Sequence, residues 1–141
     1  MARKKEKYLL RLASKSANLH MIREFVSRVA AEAGFHEDEI NQIELAVDEA
    51  SSNVVQHAYP EKNRNIEIEV RFDPTFFEVK VRDSGKGFIP ERLPRPNMKE
   101  YLEQFQVGGL GIHLMNSLMD QVEFDINPGR RNQVTLIKFR K

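Results

Sequence analysis

The sequence predicts an α+β fold, a two-layer sandwich in which a mostly antiparallel, mixed sheet is covered on one face by about three helices. Three observations predict it. Two stretches with apolar residues at helical spacing come early, two strictly alternating runs follow, and a third helical stretch falls between those runs and two further strands.

Tyr8 to Ala13 is a short apolar run and reads as the first strand. From Asn18 to Ala33, residues Leu19, Ile22, Val26, Val29 and Ala30 share one side of a helix, and Gly34 ends it. A second helix begins near Glu37 and runs to about Ala58, with Ile40, Ile43, Val47, Ala50, Val54 and Ala58 at intervals of three and four and Pro60 as a stop. Alternation then takes over. Ile66, Ile68, Val70 and Phe72 interleave with Glu67, Glu69 and Arg71, and Phe77, Val79 and Val81 interleave with Glu78, Lys80 and Arg82. The turn Asp73-Pro74-Thr75 makes these a hairpin with one charged, wet face. The third helix carries Ile112, Leu114, Met115, Leu118 and Met119, and strands Val122 to Ile126 and Val134 to Phe139 flank the turn Pro128-Gly129.

A chain of 141 residues that is 40% hydrophobic suits one core, so a single domain spanning 1–141 is expected. Charged residues make up 30% yet sum to +1, which leaves no field for holding nucleic acid. Arg3, Lys4, Lys5 and Lys7 read as a solvated start to the first strand. The absence of cysteine excludes disulfides, thiolate metal ligands and cysteine nucleophiles together. No apolar run approaches a membrane span, and the first residues lack the apolar stretch of a secretion signal, so a cytoplasmic protein is expected.

Glu49 and Asn53 lie four residues apart, about 40° from each other on the second helix and roughly 130° from the centre of its apolar stripe. At that margin, Asn53 can give an oxygen ligand to magnesium and Glu49 can orient an attacking hydroxyl, or both can form an ordinary solvated flank. Asp48 lies about 100° from Glu49 and is the poorer partner for Asn53. No second ligand stands at metal spacing from His57, which reads as a helix-end histidine. Asp83 has the parity of Phe77, Val79 and Val81, so it either projects toward the covered face, where a carboxylate needs a donor such as a base amine, or caps a turn with Gly85.

Two glycine clusters, Asp83-Ser-Gly-Lys-Gly-Phe88 and Gly108-Gly-Leu-Gly111, hold five of the seven glycines. The second opens the third helix, where unobstructed amides meet anionic oxygens. Between them, 88–107 contains Pro90, Pro94 and Pro96, has no sustained period and reads as a lid. Neither cluster is a Walker A loop or a dinucleotide fingerprint.

Glu49-Ala-Ser-Ser-Asn53 with His57, Asp83 to Phe88, and Gly108 to Gly111 resemble the N box and the two glycine boxes of the Bergerat-type ATPases, the superfamily of gyrase, Hsp90, histidine kinases and MutL. Within it the chain is similar to the bacterial anti-sigma factor serine kinases. The resemblance implies ATP and Mg2+ as cofactors, with Glu49 activating a serine hydroxyl, Asn53 ligating magnesium, and Asp83 binding the adenine amine. It further implies that Gly85 and Gly87 shape the adenine pocket beside Phe88 and His57, while Gly108, Gly109, Leu110 and Gly111 form the phosphate-contacting box. The implied partners are a small anti-anti-sigma (STAS-type) phosphoacceptor, a sigma factor or related regulator, and a second copy in a homodimer. Relatives often carry threonine near the start of the final strand, close to the adenine, where this chain departs from the pattern with Asn132 and Gln133 and has Thr135 further on. The alternatives are an ATP-dependent binding switch without transfer, a histidine kinase fragment, and a nucleotide-free module of the same fold.

Overall fold

The strand and helix residues follow from two competing periods, and the computed structural model describes them over residues 5–57, 65–83, 111–126 and 131–140. Among the described residues the elements are β1 (Glu6–Ala13), α1 (Leu19–Ala33), α2 (Glu37–His57), β2 (Asn65–Phe72), β3 (Phe76–Asp83), α3 (Gly111–Leu118), β4 (Gln121–Ile126) and β5 (Asn132–Phe139), with a 3-10 turn at Ser16–Asn18.

Helix α1 buries Ile22, Val26, Val29, Ala30 and Ala33, the stripe its spacing predicts. It stops at Gly34, whose φ of 99° is left-handed and whose N–H reaches the carbonyls of Ala30 and Ala31. Arg140 caps the same end by donating to the Ala33 carbonyl and, at 2.8 Å, to that of Asp73, while its guanidinium lies 5.6 Å from the Phe35 ring and 5.7 Å from Phe72. The first turn of α2 carries Glu37, Asp38 and Glu39, which suits the positive end of the helix dipole. Glu39 also accepts from the His36 N–H at 3.2 Å, half of a capping box.

The strands form one sheet in the order β1-β2-β3-β5-β4. Every described pairing is antiparallel, which corrects the expectation of a mixed sheet. The reason is the insertion of β5: β3 and β4 run the same way, and β5 separates them. The turn of the central hairpin is closed by Asp73, whose Oδ1 accepts from the Thr75 N–H and hydroxyl at 2.7 Å each and from the Phe76 N–H at 3.2 Å. Those bonds hold the Asp73 carboxyl below its ordinary range.

Ile66, Ile68, Val70, Phe72, Phe77, Val79, Val81, Val134 and Leu136 line one face of the sheet and pack with the apolar sides of α1, α2 and α3. Phe77 is fully buried and meets Phe35 edge-on at 5.2 Å. Burying a side chain of that size stabilises the fold by about 1.5–3 kcal/mol.

The opposite face is charged, as alternation predicts, but it is not wet. Glu67, Glu69 and Glu78 are only 9%, 7% and 9% exposed. Arginines on neighbouring strands cover them. Arg11 lies opposite Glu67 and donates to it at 2.9 Å, and Arg82, opposite Glu67 on the other side, donates to Glu69 and to Gln133. Arg71 lies 3.0 Å from Glu78 and 3.6 Å from Glu69. Burial pushes the Glu69 carboxyl up, but the hydrogen bond and charge of Arg82 outweigh it and hold Glu69 below its ordinary value.

Candidate functional site

The direction of α2 decides which residues gather at one end of the domain. Its first turns lie beside the end of β5, where Lys138 Nζ donates to Gln42 Oε1 at 3.1 Å. From Gln42 to Asn53 the helix rises about 16 Å. From Lys138 back to Asn132 the strand spans about 20 Å. Asn53 therefore stands near the level of Asn132, at the end of the sheet where β3 finishes with Asp83.

On α2, Arg23 of α1 contacts Asp48 at 2.8 Å, and Ser27 donates to Glu44. That flank is committed to the α1–α2 seam. Glu49 and Asn53 lie about 100° and 140° round from Asp48, on the flank turned away from α1. Glu49 is half-buried and Asn53 is 8% exposed. Asn53 is thus more deeply enclosed than a residue bordering the core, while Glu49 keeps access to solvent.

Strand β3 continues through Asp83, which pairs with Ile66 on one side and Asn132 on the other. Of the two positions open to Asp83 in the sequence, the structure gives the buried one. Asp83 is 6% exposed and shares the helix-covered face with Phe77, Val79 and Val81. The last cross-sheet row on this face reads Leu12, Ile66, Asp83, Asn132, Ile126, so two polar residues stand side by side within an otherwise apolar row.

Asn132, at the position near the start of the final strand where relatives often carry threonine, is also 6% exposed. The signal that finds it is strand parity: Val134 and Leu136 are buried against the helices, and counting back by two from Val134 reaches Asn132. The same parity places Thr135 on the outer face, opposite Lys80 and Glu123, away from Asp83. Gln133 is likewise on the outer face, where it accepts from Arg82 at 2.8 Å.

Gly111 is the first residue of α3, which packs against α2. His57 closes α2, and its side chain lies outside the described residues. Gly85, Gly87, Phe88, Gly108, Gly109, Leu110 and the lid at 88–107 also lie outside them.

Among the described residues no three His, Cys, Asp or Glu side chains gather to hold a metal. Asn53 alone offers a single neutral oxygen, which fits magnesium only where phosphates and water complete the shell. No helix among the described residues is long and apolar enough to cross a membrane.

A model of the histidine kinase-like ATPase domain matches residues 12–138. The serine-protein kinase RsbW of Bacillus licheniformis is 37% identical over 115 residues, covering 77% of this chain and 71% of the relative. That of Bacillus subtilis is 36% identical over 115 residues with the same coverage, and that of Bacillus thuringiensis is 32% identical over 122 residues, 84% of this chain and 76% of the relative. The crystal structure of the RsbU and RsbW domains of Rv1364c from Mycobacterium tuberculosis superposes with a TM-score of 0.70 at 16% identity. It covers 95% of this chain and 32% of that one, and it supports the fold alone. With most of its length matched by the family model and by the RsbW kinases, the chain belongs to the histidine kinase-like ATPase family and groups there with the RsbW serine-protein kinases.

Proposed function

We propose that this protein is an ATP-dependent serine kinase that phosphorylates a serine on a small anti-anti-sigma (STAS-type) partner and sequesters a sigma factor or related regulator. The observation that carries the reading is Asp83, a carboxylate turned into the apolar, helix-covered face at the end of the domain where Asn53 is enclosed. A buried carboxylate there suits an exocyclic amine, which donates where the carboxylate accepts. The names of the RsbW relatives support the same activity.

In this reading Asp83 holds the adenine, and Gly108, Gly109 and Gly111 offer backbone amides to the phosphates. Asn53 would hold the magnesium ion, which when bound neutralises phosphate charge. Glu49, half-buried one helical turn away, orients the partner's serine hydroxyl and takes its proton. The serine oxygen bonds to the γ-phosphorus, the bond from that phosphorus to the bridging oxygen breaks, and ADP leaves. Little of the protein substrate enters a pocket, so α2 and the segment after Phe88 form the docking edge. The kinase acts as a homodimer, which light scattering tests.

The decisive experiment mixes the protein with a candidate anti-anti-sigma domain, magnesium and γ-labelled ATP, using wild type and Glu49→Gln. Label on the partner with wild type and none with the variant supports a serine kinase with Glu49 at its chemistry. ATP-dependent complex formation without label favours a binding switch instead.

A further inference from the structure

We propose that Lys138 is a positioning residue for phosphate binding: it ties the C-terminal end of α3 to the flank of α2 that carries Glu49 and Asn53, and so sets where the amides that open α3 at Gly111 stand relative to Asn53. This rests on the ATP-binding reading above.

Lys138 has the strand parity of Val134 and Leu136 and stands opposite Phe77, so it projects onto the helix-covered face, where those three neighbours are buried and apolar. A cation in that layer needs acceptors. Lys138 Nζ has two: it donates to the carbonyl of Leu118, the last residue of α3, at 3.2 Å and to Gln42 Oε1 of α2 at 3.1 Å. The carbonyl end of a helix is the negative end of its dipole, so the charge suits the place it occupies.

Both contacts bear on the site. Gln42, Glu49 and Asn53 fall within about 40° of one another on α2, so Lys138 holds an amide on the same flank as the proposed base and magnesium ligand. Helix α3 has eight residues and spans about 12 Å. A helix that short is marginal by itself, so packing and the groups that hold its ends decide where it lies. Just past its C-terminal end, the Asp120 N–H donates to the Ile137 carbonyl at 2.9 Å and Asp120 Oδ2 accepts from the Phe139 N–H at 2.6 Å. Those two bonds fasten the chain to β5 alone. The Lys138 ammonium joins α3, β5 and α2 at one point, so its loss frees α3 to shift against Asn53 while the Asp120 bonds stay in place.

The test measures the affinities of magnesium-ATP and of adenosine by displacement of a fluorescent ATP analogue, for wild type, Lys138→Met, Lys138→Arg and Gln42→Leu. Wild type is expected to prefer ATP. Lys138→Met keeps the aliphatic stem and loses the charge, and it should lower ATP affinity about ten-fold, the scale of one charge-assisted hydrogen bond, with adenosine affinity unchanged. Gln42→Leu removes one of the two acceptors and should lower the ATP-to-adenosine ratio by less, whereas Lys138→Arg keeps the cation and should restore most of it. A Lys138→Met protein that loses stability to urea but keeps the wild-type ratio, or that loses ATP and adenosine affinity equally, overturns the proposal while leaving ATP binding intact. If Lys138→Met does not fold, an unchanged ratio in Gln42→Leu overturns it instead. Binding of neither ligand by wild type overturns the ATP reading and this inference together.

Discussion

The two faces of the sheet both bury polar side chains, yet they do so in opposite ways. On the outer face, Glu67, Glu69 and Glu78 each meet an arginine from a neighbouring strand, and the charges cancel within the sheet. On the helix-covered face, Asp83 and Asn132 stand side by side at one end of a layer of aliphatic and aromatic side chains. Burial of a charge therefore does not mark a site by itself. A carboxylate beside a guanidinium has its charge balanced within the sheet, so the burial of Glu67, Glu69 and Glu78 needs no ligand to explain it.

The sharpest way to test that contrast is to change one carboxylate at a time. Glu49→Gln should lower phosphoryl transfer by at least about 100-fold in a single-turnover assay, the typical contribution of a positioned base, with ATP affinity held within a few-fold. Asp83→Asn should weaken ATP binding by about 10- to 100-fold by calorimetry, because it replaces a charged acceptor with an amide. If Asp83→Asn binds ATP normally and Glu49→Gln does not, the two roles are exchanged.

Changes on the outer face should appear as stability and not as affinity. Arg82→Leu removes the cation shared by Glu67 and Glu69 and should cost about 2 kcal/mol in urea unfolding while leaving nucleotide affinity unchanged. Asp73→Ala removes the acceptor that closes the hairpin turn and should lower the urea midpoint by less than Arg82→Leu does, because the turn is open to solvent. The smallest effect is one of pH. The folded Glu69 carboxyl titrates below its ordinary value of 4.5, so its stabilising contribution is fully present above that value and is lost as pH falls through the depressed folded one. Glu69→Gln should remove that part of the acid sensitivity, and an unchanged acid profile would place the sensitivity elsewhere.

Much of this contrast was legible in the residues. Alternation in Ile66 to Phe72 and Phe77 to Val81 set which side chains share a face, because side chains of a strand alternate strictly. The α1 and α2 stripes and the Gly34 stop were equally readable, since helical spacing and a left-handed terminus leave local marks. The wetness of the charged face was not readable. Alternation tells that Glu67 and Arg82 point the same way, but only strand pairing tells that they are neighbours. The apposition of Asn132 to Asp83 was not readable for a related reason: the parity of Asn132 is countable, yet the pairing depends on β5 lying between β3 and β4.

The sequence by itself determined the elements and their apolar faces, because these follow from local periods and short motifs. Only the tertiary structure decided the strand order, the all-antiparallel pairing, the neutralised outer face and the Asp83–Asn132 apposition. Those features join residues distant along the chain, and register between such residues is fixed by packing the helices on one face of the sheet, not by any local preference of the backbone.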